Sequence, residues 1–386
     1  MSFGAALSEH PIAVHATGEA VGALLEQVGE EPDLVLLFVT GPHVGAFEDI
    51  ARAVRATLRP KALIGTTAVS VIGGSREVEE QPGLALWAGD VGPARAVSFH
   101  ATMGLGESWS FDCSDDIALS GASMLILLAD PASFPVAPFL EHLRAEQPSL
   151  RVVGGVASAG FVPDANRLTV NGETMVGGAA GVLLPDDRAV ATVVSQGCRP
   201  IGEPLTVTRS ERNIIYEIAG RPALERLQQL LGTLSDAELE MARRGLHVGR
   251  VIDEHKVEFD RGDFLIRNVM GGDNEVGAIA VGDEIAVGDT VQFQVRDAVS
   301  ADEDLRLLLD GRSADAALVF TCNGRGYRLF GHPDHDAEVL VRSIESPSVA
   351  GMFCAGEIGP VGAQSFLHGF TASVVLFGGP GSDPAG

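Results

Sequence analysis

The chain has 386 residues, of which 46% are hydrophobic and 20% charged, and its 52 acidic side chains against 27 basic ones give a formal net charge of −25. This composition suits a folded chain of two or three domains, and its negative charge disfavours binding to nucleic acid or to an anionic membrane surface. The apolar runs are too short to span a bilayer and no secretory signal opens the chain, so we expect a cytoplasmic location.

Three segments share one order of predicted elements: an apolar strand, an amphipathic helix, a second apolar strand leading into a Gly-rich loop, and a third apolar strand. The first segment has strands at 34–39, 62–65 and 83–87, a helix with Phe47, Ile50, Val54 and Leu58 on one face, and a loop at 66–74. The second segment has strands at 124–128, 152–155 and 178–184 and a helix at 139–146. The third segment has strands at 317–321, 349–354 and 371–377 and a helix at 336–344.

The spacing between the first two strands is about 30 residues in each segment, which indicates an internal repeat. Apolar strands that alternate with amphipathic helices are typical of βαβ units whose strands are buried on both faces. The sequence therefore predicts an α/β fold built from three related βαβ-type units that form mixed sheets. The Gly-rich loops follow the carboxyl ends of strands, where open α/β sheets usually bind ligands.

The region between the second and third units has a different pattern. A strand at 213–218 precedes a leucine-rich helix at 224–234, and Ser235 and Glu238 have the spacing of a capping box. Residues 246–297 alternate short apolar runs with turns, which predicts a β-rich insert, and Ser300 is expected to cap the helix that follows. We predict an amino-terminal α/β domain at 30–205 and a carboxy-terminal domain at 213–378 that contains the insert.

The densest group of polar residues lies in the third unit, where two loops are expected to meet at one sheet edge. Arg325 and the loop amides suit a carboxylate, and Glu357 suits an ammonium group, so together they would recognise a zwitterion such as an amino acid. A structural Arg–Glu pair between the loops is the alternative. The remaining candidate ligand-binding residues on these loops, or at matching positions of the other repeats, are Asn323, Cys322, Cys354, Ser158 and Thr67.

Other chemistry at these residues is less well supported by the pattern. His332 and His335 with Cys322 and Cys354 lack the two closely spaced ligand pairs of a zinc site, so no metal is expected. A cysteine nucleophile with His335 or His368 is an alternative, although no motif orders a base and its orienting group. We therefore expect no catalytic residue and no cofactor, because cysteines next to apolar strands are more often buried thiols that pack in the core.

Several motifs resemble those of the FIST (F-box and intracellular signal transduction) family, across residues 30–378. They are Ala350–Pro360, Phe366–Ser373, Cys322–Gly326, Ile72–Val78, Gly154–Ser158 and Asn171–Glu173. The resemblance implies a sensory module that binds small ligands such as amino acids and acts in signal transduction. This chain resembles a free-standing member, which would need a separate signalling protein as its output partner.

The resemblance also implies alternatives, because some members of the family bind haem and sense nitric oxide. In this chain His368 or His335 would then be the axial ligand. One departure from the family pattern is the first loop, which reads Thr66–Val69 without the expected glycine. We predict a non-catalytic, cytoplasmic sensor of an amino acid or similar metabolite, with a haem-based gas sensor, a cysteine-dependent enzyme and a protein-interaction adaptor as the alternatives.

Overall fold

The computed structural model describes residues 2–104, 108–185 and 190–378, which form two compact units. The first unit contains the residues up to 194, residues 305–367 and the residues from 371 on. The second unit contains residues 195–304 and 368–370. Among the residues so described, none of the helices is both long and apolar enough to cross a membrane.

The strands of the first half of the chain are β1 (Phe3–Ser8), β2 (Leu34–Thr40), β3 (Ala62–Ala68), β4 (Ser70–Gly73), β5 (Arg76–Glu79), β6 (Leu84–Gly89), β7 (Arg95–Met103), β8 (Trp109–Cys113), β9 (Met124–Ala129), β10 (Arg151–Val156), β11 (Leu168–Val170), β12 (Glu173–Met175) and β13 (Ala179–Leu184). Those of the second half are β14 (Val190–Gln196), β15 (Cys198–Glu211), β16 (Ile214–Ile218), β17 (Arg221–Pro222), β18 (Leu246–Val251), β19 (Phe264–Asp273), β20 (Ala278–Val281), β21 (Thr290–Arg296), β22 (Ala316–Cys322), β23 (Val349–Cys354), β24 (Glu357–Val361), β25 (Gln364–His368) and β26 (Thr371–Phe377).

The helices are α1 (Ala13–Val28), α2 (Phe47–Leu58), α3 (Asp116–Ser120), α4 (Val136–Glu146), α5 (Ala223–Leu231), α6 (Asp236–Arg244), α7 (Ala298–Leu309), α8 (Tyr327–Phe330) and α9 (His335–Ile344), with short 3₁₀ turns at Gly41–Ala46 and Arg261–Asp263. The predicted apolar face of α2 is buried, as its periodicity indicated. The predicted helices of the second and third repeats correspond to α4 and α9.

Each predicted repeat forms a pair of parallel strands joined by a helix. β2 pairs with β3, β9 with β10, and β22 with β23, all in parallel. The third strand of each repeat, which is β6, β13 or β26, lies antiparallel beside the first strand. The predicted α/β fold with mixed sheets is therefore confirmed, and the antiparallel return of the third strand is what makes each sheet mixed.

A hairpin from each repeat completes the sheet of another repeat. Hairpin β4–β5 follows β3 but pairs with β23, β11–β12 follows β10 but pairs with β3, and β24–β25 follows β23 but pairs with β10. The predicted loop at 66–74 is wrong for most of its length, because this exchange continues the chain as strands β3 and β4. The exchange also places residues from both predicted domains in one compact unit, so the units do not follow the division into 30–205 and 213–378.

The central strands β2, β9 and β22 of the three sheets are buried on both faces. Leu36 of β2, Ile126 of β9 and Phe320 of β22 contribute to one apolar core shared by the repeats. The alternate residues of the same strands lie on the opposite face of the sheet. There Leu37 packs with the apolar residues of α1 and α2. This alternation explains why the strands are continuous apolar runs in the sequence.

The parallel strands approach each other closely at equivalent glycines. A Cβ atom at Gly351 would lie 1.8 Å from the carbonyl oxygen of Val319, and one at Gly154 would lie 1.9 Å from that of Leu127. In both pairs the glycine lies directly opposite the residue that it would strike. The glycines of the repeat are therefore required by strand packing as well as by the loops that follow them.

The second unit contains the predicted β-rich insert. Strands β18 to β21 lie within residues 246–296 and, with β15 to β17, form an antiparallel sheet in the order β15-β21-β18-β19-β20-β16-β17. The capping box at the start of α6 is confirmed, because the Glu238 amide donates to Ser235 Oγ and the Ser235 amide donates to Glu238 Oε2. The predicted cap at Ser300 is wrong, because α7 already begins at Ala298 and the Ser300 hydroxyl donates to Asp297.

Candidate functional site

The candidate site lies where the parallel strands β22 and β23 end. Cys322 is directly opposite Cys354 in the strand register, and the Asn323 amide donates to the Cys354 carbonyl at 3.0 Å. The Arg325 amide donates to the Cys322 carbonyl at 2.8 Å, which closes a tight turn after β22. The two polar loops therefore meet at one sheet edge, as the repeat predicted.

Arg325 is buried and forms an ion pair with Asp336 at the start of α9. Its Nε donates to Asp336 Oδ2 at 2.7 Å and its Nη2 donates to Asp336 Oδ1 at 2.9 Å, and both side chains are 1% exposed. Thr321 Oγ1 also donates to Asp336 Oδ2, and His335 Nδ1 lies 2.9 Å from Asp336 Oδ1. The expected carboxylate partner of Arg325 is therefore supplied in large part by the protein itself.

The electrostatics of this pair follow from its burial and charge. Burial alone would raise the pKa of Asp336, but the charge and hydrogen bonds of Arg325 outweigh burial and hold it well below its usual range. Burial alone would likewise lower the pKa of Arg325, and Asp336 raises it instead. Both side chains are thus charged at neutral pH.

Glu357 is fully buried and is bound by Thr371 rather than by Arg325. Its Oε2 accepts hydrogen bonds from the Thr371 amide at 3.0 Å and from Thr371 Oγ1 at 2.9 Å. Burial raises the pKa of Glu357 to about 8, although the Thr371 hydrogen bonds and the charge of Arg325 oppose this shift. Glu357 is therefore mostly neutral at pH 7. The sequence had suggested a charged carboxylate at this position that would pair with a ligand ammonium group.

The two cysteines of the site differ in exposure. Cys354 is 1% exposed, and burial together with the neighbouring Glu357 and Cys322 raises the pKa of its thiol well above the usual value. Cys322 is half-buried, its sulfur accepts a hydrogen bond from the Gly324 amide, and it also interacts with the carboxyl group of Glu357. The Arg325 guanidinium interacts electrostatically with Cys322, whereas no cation is among the causes that shift the pKa of Cys354.

Ser158 and Thr67 connect the loops of the three repeats. The Ser158 hydroxyl donates to the Phe353 carbonyl at 2.5 Å and accepts from the Val69 amide at 2.9 Å. Thr67 Oγ1 accepts from the Arg167 amide at 3.0 Å. The repeat predicted Ser158 and Thr67 only at matching positions of their own segments. The structure places the Ser158 hydroxyl against the backbone of β23, and the Thr67 hydroxyl against the backbone of Arg167.

Three buried polar atoms of the site have no hydrogen-bond partner within the described part of the chain. They are Nη1 of Arg325, Oε1 of Glu357 and Oδ1 of Asn323. Buried polar groups in proteins are nearly always paired, so three such atoms in one turn and the adjacent strand are unusual. Cys322, Asn323 and Gly324 are half-buried, so this turn is also the side of the cluster that solvent reaches.

Comparison with known proteins identifies the family. Residues 33–221 match the FIST N domain and residues 223–360 match the FIST C domain. The chain belongs to the FIST family. The uncharacterized protein Rv0628c of Mycobacterium tuberculosis is 41% identical over 384 residues, which cover 98% of this chain and 100% of that protein. The uncharacterized protein Mb0898c of Mycobacterium bovis is 39% identical over 385 residues, covering 98% of this chain and 99% of that protein.

FIST domains are associated with signal transduction, and the site of this FIST protein contains both signs of charge at a sheet edge. The sequence motifs that carried the resemblance lie in the turn after β22, in the segment from β23 to the start of β26, at the end of β10, and in the exchanged hairpins β4–β5 and β11–β12. The family signature thus coincides with the points where the chain crosses between sheets.

His335 and His368, the two histidines that the resemblance names as alternative haem ligands, are both buried. His335 pairs with Asp336 through Nδ1, and its ring stacks on Phe330 with a centroid distance of 3.4 Å. His368 is 3% exposed and belongs to the second compact unit. Within residues 2–104, 108–185 and 190–378, no group of three His, Cys, Asp or Glu side chains is arranged to hold a metal ion.

Sequence reasoning did not identify Glu77 as part of this region. The Ala337 amide in the first turn of α9 donates to Glu77 Oε1 at 3.0 Å, and the Glu77 amide donates to Asp334 Oδ1 at 2.7 Å. Asp334 is the residue before α9, and its side chain accepts a hydrogen bond from strand β5 rather than capping the helix. Glu77 stands in the Ile72–Val78 motif, which was the one available signal, but its contact with α9 depends on the exchanged hairpin.

Proposed function

We propose that this FIST protein is a non-catalytic sensory module that binds a small polar metabolite, such as an amino acid, and acts in signal transduction through a separate partner. The observation that supports this proposal is the set of unpartnered buried atoms on Arg325, Glu357 and Asn323. Leaving a buried polar atom unpaired costs about 1–3 kcal/mol. A ligand that pairs these atoms would recover that free energy on binding.

The chemistry of the three atoms favours a ligand with both acceptors and donors. Arg325 Nη1 is a charged donor that suits a ligand carboxylate, and Asn323 Oδ1 is an acceptor that suits an amine. Arg325 would use one nitrogen for the ligand, because its Nε and Nη2 already bind Asp336. Glu357 Oε1 would accept from the ligand, or donate to it when the carboxyl group is protonated.

A non-catalytic role is supported by the thiols. Burial and the nearby carboxyl group of Glu357 raise the pKa of Cys354, and a protonated thiol is a poor nucleophile. Arg325 is similarly engaged by Asp336 and is positioned to bind rather than to transfer protons. The site therefore suits recognition better than covalent chemistry.

A thermal-shift screen of amino acids and related metabolites tests the proposal, with Asn323→Ala and Glu357→Gln as site variants. A ligand present at about 100 times its dissociation constant should stabilise the protein by about 2.7 kcal/mol. Both site variants should lose most of that shift. Gln364→Ala, which changes an exposed side chain on β25, should retain it.

The proposal is contradicted if one ligand stabilises all four proteins equally, because binding would then lie elsewhere. It is also contradicted if no compound in the panel shifts the melting temperature. An absorption spectrum of the same sample separates the haem alternative, since a Soret band would favour that function instead.

A further inference from the structure

An open pocket of about 530 Å³ lies on the first compact unit beside β5 and α8. The charged residues in its wall are four glutamates and one arginine: Glu9, Glu77, Glu79, Glu80 and Arg328. Acidic side chains repel each other when they share a cavity, so grouping them here raises the free energy of the empty pocket. A positively charged occupant would lower it.

Glu77 is the buried member of this group. Glu77 is one of the residues that line the pocket, although only 4% of it is exposed. One carboxyl oxygen, Oε1, accepts from the Ala337 amide at 3.0 Å, whereas Oε2 is buried and has no hydrogen-bond partner in the ranges that the structure describes. A buried carboxyl oxygen without a partner, on a residue of the pocket wall, is a site for a donor from a ligand.

The arginines near the pocket already form ion pairs with exposed glutamates. Arg328 pairs with Glu80, and Arg76, which lies outside the wall, pairs with Glu9 at 3.3 Å. Glu79 accepts a hydrogen bond from the Tyr327 amide at 2.8 Å. Among the described residues, Glu77 and Glu79 thus form the acidic part of the wall that no ion pair neutralises.

We propose that this pocket binds an aliphatic organic cation of the polyamine class, with one ammonium group hydrogen-bonded to Glu77 Oε2. Val78 and Pro333 provide apolar wall for the methylene chain, and Tyr327 is 60% exposed and offers an aromatic face to a second ammonium group. A chain with several spaced ammonium groups matches several spaced carboxylates better than a single small ion does. This site is separate from the atoms of Arg325 and Asn323, so it does not rest on the function proposed above.

Binding at this pocket should release a proton. Burial, and next the charge of Asp336, raise the pKa of Glu77 to about 8, so the carboxyl group is largely protonated at pH 7 in the free protein. The charged or titratable groups around it are Asp334, His335 and Asp336 at the start of α9, Glu79 and Arg76 on β5, and Glu9, Glu80 and Arg328 at the rim. An ammonium ion beside Oε2 favours the ionised form, so the affinity should increase as the pH rises from 6 to 9.

Isothermal titration calorimetry of the full chain with spermidine, at physiological ionic strength, tests the proposal. The titration is repeated at pH 7 in two buffers that differ in ionisation enthalpy, because proton release makes the observed heat depend on the buffer. We expect Glu77→Gln to weaken binding by at least about tenfold at pH 8 and to abolish the buffer dependence. Glu26→Gln on the exposed part of α1 is the matched control and should leave the affinity and the buffer dependence unchanged.

Two further measurements keep the test decisive. If Glu77→Gln does not fold, Tyr327→Ala at the exposed rim should still weaken spermidine binding several-fold. Magnesium chloride at an equal concentration of positive charge should not replace spermidine. The proposal is overturned if spermidine does not bind, if Glu77→Gln binds as tightly as the wild type, or if magnesium gives the same heat and stoichiometry, which would indicate general screening of an acidic surface or a metal site.

Discussion

Replacing Asp336 by asparagine should destabilise the first compact unit strongly while leaving the volume of the side chain almost unchanged. Asp336 accepts two hydrogen bonds from Arg325, at 2.7 and 2.9 Å, and one from Thr321 at 2.7 Å. Hydrogen bonds to charged groups contribute about 1.5–3 kcal/mol each, and removing one partner of a buried ion pair costs about 3–5 kcal/mol. We expect Asp336→Asn to lower the free energy of unfolding by about 3–5 kcal/mol, because the Arg325 charge stays buried without a counter-charge.

Urea unfolding followed by tryptophan fluorescence measures this loss. The two tryptophans, Trp87 and Trp109, both belong to the first unit, so their fluorescence reports on the unit that contains the ion pair. Glu338→Gln is the matched control, because it breaks an exposed ion pair with Arg342 on the same helix. Exposed pairs of this spacing contribute about 0.3–0.5 kcal/mol.

A loss from Asp336→Asn that is no larger than the loss from the control would refute this reasoning. The double substitution Arg325→Met with Asp336→Leu provides a second check. It should lower the free energy of unfolding by less than Asp336→Asn alone does, because neither charge of the pair remains buried. A double variant that is as unstable as the single one would indicate that packing, rather than charge, dominates at this position.

Three further predictions concern pH, thiol reactivity and strand packing. Glu357 keeps its proton to about pH 8 in the folded protein and loses it near pH 4.5 when unfolded, so the free energy of unfolding should fall as the pH rises from 5 to 8. Urea midpoints measured across this pH range should fall less steeply for Glu357→Gln. Cys354 should resist maleimide in the native protein while half-buried Cys322 reacts faster, as peptide mass spectrometry would show, and equal labelling rates would contradict the burial argument. Gly351→Ala should lower the free energy of unfolding by about 3 kcal/mol or more, because the new Cβ would strike a neighbouring carbonyl. Gly22→Ala, in open space on α1, should raise the free energy of unfolding by about 0.5–1 kcal/mol. A change of the same sign in both variants would refute the packing argument.

The repeat explains why so much of the fold was predictable. Continuous apolar strands such as Leu34–Thr40 and the helical periodicity of Phe47–Leu58 are local signals, and they recur three times at a similar spacing. Parallel pairing of β2 with β3 follows from the crossover helix between them. The exchange of hairpins between repeats had no such local signal, because β4 would satisfy the same pattern in its own sheet.

The candidate site shows the same limit. The pattern correctly placed the turn of Arg325 beside the loop of Cys354, since parallel strands end at one edge. It did not reveal that Arg325 binds Asp336 rather than Glu357, because the choice between two carboxylates depends on the orientation of α9. Whether Arg325 and Glu357 bind a ligand stays a prediction.

The sequence by itself determined the α/β class, the three repeats, the family and the sheet edge that carries the polar residues, because hydrophobic periodicity and motif order are properties of neighbouring residues. Tertiary structure decided which carboxyl groups are charged and which are neutral. Asp336 is ionised because Arg325 is in contact with it, whereas Glu77 and Glu357 hold protons near neutral pH because burial outweighs their hydrogen bonds. Burial and the distance between charges arise only when segments that are far apart in the chain pack together.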